Sequence, residues 1–352
     1  MPTIQDVARR AGVSPSTVSN VLNDRADRMR PETLARVQAA IRALRFRPSR
    51  LARQLKTGQT PLLGLLVPAI ANPMYGAIAR EVEAFAQDSH GHRVLIGSTE
   101  RDPKREAQFI DDLLAHGVRH VIVISALADE RHLEAAAADG MVVVSYDRRA
   151  APGRPTGVHH VTPDNVAAAA LATRHLIARG HRRLAFATMR GLTLSRGDKI
   201  EGFRAAAAEA GLRSGAHVLE AGPASDYGDS AIGQAARELA QRIAKSAQRP
   251  TGIVAVNDLL ALELIAGLRG AGLSVPEDLS VVGIDGLYLG ALGSPALTTV
   301  RLPVREMARA MVERAMGSPG DEAIDASGLV FGDMALVERG SVAPPPTLRR
   351  AR

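Results

Sequence analysis

The 352-residue chain is expected to fold as an all-α helix-turn-helix module followed by an α/β body of two doubly wound, parallel-sheet lobes. Three observations predict this. Residues 1–60 carry twelve Lys and Arg against four Asp and Glu, a net +8, whereas the remainder nets −1. Within that basic segment, apolar residues recur at spacings of three and four, the period of a buried helix face. From residue 61 onward, short continuous apolar runs alternate with helical stretches, the pattern of β-α units built on parallel sheets.

Composition narrows the function classes. With 46% hydrophobic and 23% charged residues, the chain is globular rather than disordered. It has no cysteine, which excludes disulfides, thiolate nucleophiles and Cys-ligated metal centres. Residues 1–12 read as an amphipathic helix rather than an export signal. The most apolar run, Leu62–Ile70, is broken by Gly64 and Pro68 and falls short of the roughly 18 residues a membrane span needs. A cytoplasmic location with no membrane contact is expected.

Taken in order, Thr3 is placed to cap a first helix that buries Ile4, Val7, Ala8 and Ala11, with Asp6 at its positive end. Gly12-Val13-Ser14 breaks that helix. Ser14 then caps a second helix with Pro15 at its first position, where the missing N–H costs nothing, and Val18, Val21 and Leu22 inward. Ser16, Thr17, Ser19 and Asn20 stay outside, short polar groups suited to base edges and phosphates in a DNA major groove. A third helix from Pro31-Glu32 brings in Leu34, Val37, Ile41 and Leu44.

In the body, strands are expected at 62–67, 93–97, 120–124, 141–144, 184–187, 252–256 and 280–284, covered on both faces. Helices are expected near 75–89, 104–116, 165–179, 199–211, 229–244 and 258–271. Lobes of this kind bind ligands at the carboxyl ends of their strands, and a cleft between two lobes adds a hinge-bending site.

The run from Thr3 to Asn23, TIQDVARRAGVSPSTVSNVLN, resembles the headpiece of the LacI/GalR family of bacterial transcription regulators. That resemblance implies operator-reading positions at Pro15, Ser16 and Asn20, with Thr3, Ser14, Thr17 and Ser19 completing the DNA-facing set. Pro48–Lys56 resembles the family's hinge helix, which places a minor-groove wedge at Leu55, flanked by Leu51 and Ala52, with Arg50 and Lys56 toward phosphates. A helix of eight residues ended by Gly58 is too short to be stable alone, so folding on DNA makes physical sense.

The body resembles the family's periplasmic-binding-protein-like core through Asn72-Pro73, Ser145-Tyr146-Asp147-Arg148, Asp164-Asn165, Gly202-Phe203, Asn257-Asp258 and Gly283-Ile284-Asp285. It implies a DNA-binding domain at 1–47, a hinge helix and linker at 48–60, a core at 61–343 and a tail at 344–352. Chain crossings are implied near 161–163, 290–293 and 324–329. The N-lobe would comprise about 61–162 plus 292–325, and the C-lobe about 163–291 plus 327–343. Effector positions transfer to Met74, Tyr75, Asp147, Arg148, Asp164, Ser195, Lys199 and Asp285. Lys199 stands where the family usually has Arg, Gly286 replaces a frequent second Asp, and Pro223 occupies an often aromatic position. With no Trp and four Tyr, a sugar or sugar-like hydroxy acid is favoured over a nucleobase; a nucleobase or acidic corepressor is the alternative.

An enzyme and a standalone solute-binding protein are the rival classes. The chain lacks a phosphate-binding loop, a nucleophile elbow, a zinc-protease motif and a dinucleotide fingerprint. The pairs His90/His92 and His159/His160 lack a patterned carboxylate and read as surface residues. Neither a cofactor nor a metal is expected. The resemblance implies a homodimeric repressor on pseudo-palindromic double-stranded DNA, released by a small-molecule inducer. The tail shows no leucine heptads, so a tetramerisation bundle is not expected.

Overall fold

The computed structural model describes residues 2–22, 29–46, 61–125, 127, 129–149, 156–191, 193–222, 229–317 and 328–346. The chain divides into two units, Met1–Thr60 and Pro61–Arg352.

The first unit contains α1 (Ile4–Ala11), α2 (Pro15–Leu22) and α3 (Pro31–Leu44). Gly12 adopts a left-handed conformation, φ 63°, and ends α1 by directing its N–H at the carbonyls of Ala8 and Arg9. The three amphipathic helices close over Val7, Ala8, Ala11, Val18, Val37 and Ala40, with Ile4, Val21, Leu22, Ile41 and Leu44 packed around them. Val7, Val18 and Val37 are fully buried, and each contributes about 1.5–3 kcal/mol by leaving water. The expected hinge helix, with Arg50, Leu51, Ala52, Leu55 and Lys56, lies outside the described residues.

The body opens with β1 (Leu62–Val67), α4 (Pro73–His90), β2 (Arg93–Ser98), α5 (Pro103–Ala115), β3 (His120–Ile124), α6 (Arg131–Ala138), β4 (Val142–Tyr146) and β5 (Val158–Pro163). It continues with α7 (Asn165–Ala178), β6 (Leu184–Met189), α8 (Leu194–Glu209), β7 (Ala216–Ala221), α9 (Asp229–Lys245), β8 (Gly252–Ala255), α10 (Asp258–Gly270) and β9 (Ser280–Asp285). The last elements are β10 (Thr298–Arg301), α11 (Val304–Ala315), β11 (Leu329–Phe331) and β12 (Ala335–Val337). Two six-stranded sheets result, ordered β11-β5-β4-β3-β1-β2 and β12-β10-β9-β8-β6-β7. Every pair is parallel except β10 with β12.

Each sheet has a switch point, between β1 and β3 in one and between β6 and β8 in the other, as the doubly wound expectation requires. The lobe boundaries need correction at two crossings. β10 pairs with β9 in the C-lobe, so the second crossing falls between Arg301 and Val304 rather than at 290–293. β11 pairs with β5 and β12 with β10, moving the third crossing past Phe331 rather than 324–329. Not every strand is covered on both faces, either. β2 is a sheet edge, and Leu95 and Ile96 are exposed.

Two close approaches position the site. A Cβ at Gly202 would lie 2.0 Å from the carbonyl oxygen of Val166, so only glycine lets α8 pack this tightly on α7. At Gly286, φ 80°, a Cβ would meet the Arg301 side chain and Cα at 2.6 Å, which explains why no second acid follows Asp285.

Candidate functional site

In the first unit, caps and the exposed recognition edge divide the expected DNA-facing residues. The Thr3 hydroxyl bonds Asp6 Oδ2 at 2.7 Å, and the Thr3 amide donates to the same oxygen at 2.9 Å. These bonds, the backbone one foremost, hold the Asp6 carboxyl below its ordinary range. Ser14 Oγ accepts from the Thr17 amide at 3.2 Å and bonds the Thr17 hydroxyl at 2.9 Å. Thr3, Ser14 and Thr17 thus hold helix starts in place, and Ser19 is half-buried. Pro15, Ser16 and Asn20 are exposed. Ser16 and Asn20, four residues apart, share one face of α2.

In the body, two cavities are lined by both lobes: one of about 990 Å³ beside α4, which takes in Met74 and Asp285 but none of the other expected effector residues, and one of about 100 Å³ at the strand ends. The smaller one brings together Met74, Tyr75, Asp147, Ser195, Lys199 and Asp285, six of the eight expected effector residues, and adds Asn72, Arg101, Tyr146, Asn165, Arg196 and Asn257. A larger groove of about 1420 Å³ runs along α8 and β7, but it takes nothing from the N-lobe and so cannot sense lobe separation.

The local sequence explains each placement. After β1, Asn72 Oδ1 accepts from the Met74 amide at 3.0 Å, starting α4 and turning Met74 and Tyr75 to the strand ends. Burial raises the Tyr75 hydroxyl above its ordinary value, while Arg101, hydrogen-bonded to it, opposes the shift. Glu100 and Arg101 are successive non-glycine residues at positive φ, 51° and 57°, a conformation that persists where surroundings enforce it, often at ligand clamps. After β6, the Thr193 hydroxyl caps α8. Arg196 ties down the preceding loop by donating to the carbonyls of Met189 at 3.1 Å and Arg190 at 3.2 Å, and to that of Gly191. One turn further, the Lys199 ammonium donates to the Val256 carbonyl at 3.2 Å. After β8, Asn257 caps α10 through the Leu260 amide at 2.9 Å.

Asp285 ends β9 with φ 144° and is 7% exposed. Burial pushes its carboxyl well above the ordinary range, against the pull of Lys199. Behind it, fully buried Asp258 accepts from the Leu287 amide at 2.7 Å and the Thr299 hydroxyl at 2.5 Å, locking the loop after β9 to β10. Asp147, φ 69°, follows β4 and is held by the Asn165 amide at 2.9 Å. Strand-end acceptors, a buried ammonium and the flanks of Tyr75 and Tyr146 suit a small molecule with several hydroxyl groups.

Arg148 and Asp164 do not join the cavity lining. Arg148 turns to Glu130 at 3.3 Å and the Leu127 carbonyl at 3.2 Å. Asp164 caps α7 through the Ala167 amide at 3.0 Å and pairs with Arg149 at 3.0 Å. His160 is also not a surface residue: it is buried and meets Glu130 at 3.1 Å. Among the described residues, no three His, Asp or Glu side chains are grouped to hold a metal, and no helix is long and apolar enough to cross a membrane. Tyr146 and Asn165 stand in the Ser-Tyr-Asp-Arg and Asp-Asn runs that carry the resemblance but were not among the expected effector positions, and nothing in the sequence signalled Arg101.

Residues 3–49 match the family described as bacterial regulatory proteins, lacI family, and residues 173–342 match the periplasmic binding protein-like domain. The transcriptional regulator GalR of Escherichia coli (strain K12) is 31% identical over 347 residues, covering 98% of this chain and 97% of the relative. This chain belongs to the LacI/GalR family. The LacI/GalR-family fold extends over nearly all of it: a Lac repressor dimer bound to operator and the anti-inducer ONPF superposes with TM-score 0.80 at 24% identity, covering 97% and 99% of the two chains. The regulator CelR in complex with cellobiose gives TM-score 0.64 at 27% identity, covering 97% and 100%. This LacI/GalR member is therefore a DNA-binding transcriptional regulator with a ligand-binding core.

Proposed function

We propose that this regulator is a cytoplasmic homodimeric repressor whose grip on a pseudo-palindromic operator is released by a sugar or sugar-like hydroxy acid bound between the lobes. The observation carrying this reading is the cavity lined from both lobes, with Asp147 at one strand end, Asp285 at the other, and Lys199 buried in the wall. A ligand held by both lobes favours one angle between them, and through that preference shifts the DNA-binding equilibrium. The bound cellobiose named for CelR supports a carbohydrate occupant. Met74, Tyr75 and Ser195 complete the effector contacts, and no catalytic role is assigned to any residue. The open edge of β2, with Leu95 and Ile96 exposed, supports dimerisation through the body.

On DNA, Ser16 and Asn20 read base edges, Pro15 makes apolar contact, and Leu55 enters the minor groove with Arg50, Leu51, Ala52 and Lys56 around it. Selection of operator fragments by the full chain, followed by footprinting, tests this. A palindromic protected site released by a sugar or sugar acid is expected; binding without sequence preference overturns it. Ser16→Ala and Asn20→Ala should each weaken operator binding by about tenfold to a hundredfold while leaving non-specific binding intact. Because the charge excess resides in residues 1–60, DNA affinity should fall steeply with salt.

A further inference from the structure

Asn165, a residue of the effector-cavity lining, keeps a buried side-chain acceptor that no protein group satisfies. Asn165 is 1% exposed and lines the cavity at the first position of α7. Its Nδ2 donates to Asp147 Oδ1 at 2.9 Å, which fixes the amide orientation, since a flip would set its carbonyl against a carboxylate. The amide oxygen is then left buried and unpaired. Among the described residues, Asn165 Oδ1 is the one buried side-chain oxygen without a hydrogen-bond partner. Buried polar groups are paired as a rule, so an exception in a cavity wall calls for a partner that the chain does not supply.

Its neighbour Asp147 is an acceptor too, held at φ 69° by the strand end. Once one carboxylate oxygen takes the Asn165 amide, its remaining lone pairs and the Asn165 oxygen form two adjacent acceptors. The two cations that follow Asp147 in sequence are directed elsewhere, Arg148 to Glu130 and Arg149 to Asp164, while Arg101 of the same cavity is hydrogen-bonded to Tyr75. We propose that Asn165 is a specificity-determining contact that, together with Asp147, receives two neighbouring hydroxyl donors of the effector, a vicinal diol. This rests on the reading of the cavity as the effector site and adds a residue and a substituent pattern to it. A ligand lacking one hydroxyl of that pair leaves the Asn165 oxygen or Asp147 buried and unpaired, so discrimination is steep.

The full chain is titrated with D-glucose, D-galactose, D-ribose, D-xylose, cellobiose, gluconate and glucuronate, read by calorimetry and thermal shift. The strongest binder is then compared with its singly deoxygenated analogues on the parent and on Asn165→Ala, with Asn165→Ser as the second variant should the alanine form melt early. One deoxy analogue is expected to bind the parent about tenfold or more weakly, while the same deletion changes affinity little in the variants, the coupling expected of two groups in direct contact. Binding of the parent sugar with that penalty undiminished in both variants overturns the role of Asn165 and leaves the cavity assignment standing. A position that carries an ordered water instead shows no deoxy penalty traceable to residue 165, which also overturns it. Failure of all seven compounds overturns the diol reading and the sugar-effector proposal together.

Discussion

The two lobes solve the same problem at topologically equivalent places, yet differently. β4 and β9 are each third in their sheet, and each delivers an aspartate at positive φ to the cavity, Asp147 and Asp285. In the N-lobe the acid is partly exposed, steadied by the Asn165 amide, and followed by Arg148, whose guanidinium is taken by Glu130. In the C-lobe the acid is buried beside Lys199, backed by buried Asp258, and followed by glycine. One lobe therefore offers a partly exposed acceptor fixed by a hydrogen bond, while the other holds a buried carboxyl whose charge depends on what sits against it. A hydroxylated ligand can accept from a protonated Asp285 or donate to an ionised one, so the C-lobe is the adaptable half of the site.

Substitutions at the two acids and the residues after them separate these roles. The largest effect is expected from Gly286→Asp, which restores the second acid common in the family. Its Cβ meets Arg301 at 2.6 Å, and overpacking of this kind costs about 3 kcal/mol, read as a lowered urea midpoint. At the equivalent N-lobe position, Arg148→Gly removes a cation from Glu130, leaving His160 and Ser145 as its partners. A loss of about 1–2 kcal/mol is expected, and equal losses at 148 and 286 would break the comparison.

Asp285→Asn probes charge instead of volume. Because the folded state holds the Asp285 proton more tightly than the unfolded chain does, the parent loses stability as pH rises above the ordinary aspartate range. The variant is expected to melt above the parent at pH 7, with the gap closing toward about pH 4. A gap that does not change with pH would place the burden on packing rather than on ionisation. The smallest effect is expected from Asp147→Gly. Relief of the left-handed backbone, about 1 kcal/mol, is offset by stranding the buried Asn165 amide, so stability stays within about 1 kcal/mol of the parent while binding of any effector in the cavity is lost.

The same contrast explains what the sequence could reveal. Apolar period and helix caps made α1, α2 and α3 legible, and continuous apolar runs identified β1, β2, β3, β4, β6, β8 and β9. β5 and β7 were not recognised because histidines and a glutamate interrupt them, His159, His160, His217 and Glu220. β11 and β12, three residues each, carry too little pattern to read. Asp147 and Asp285 stand at strand ends and were found. Arg148 stands beside the end of β4 and Asp164 at the end of β5, but they are drawn away by Glu130 and Arg149, partners that no local spacing announces. Arg101 and Asn165 enter the cavity from opposite lobes, so their proximity is a property of the fold alone.

The late crossings also bear on how the protein is made. β11 and β12 form an outer strand of each sheet, yet they follow every other strand in chain order. A nascent chain can nucleate both lobes from local β-α units, but it can close neither until residue 337 has left the ribosome. Anchoring continues beyond β12: Ser341 Oγ bridges the Thr298 amide and the Val281 carbonyl at 2.8 and 2.6 Å, and His181 takes the Ala343 carbonyl at 2.9 Å. A chain cut short after α11 would expose β5 and β10 as unpaired edges in both lobes at once, making truncation there a route to aggregation rather than to a smaller working sensor.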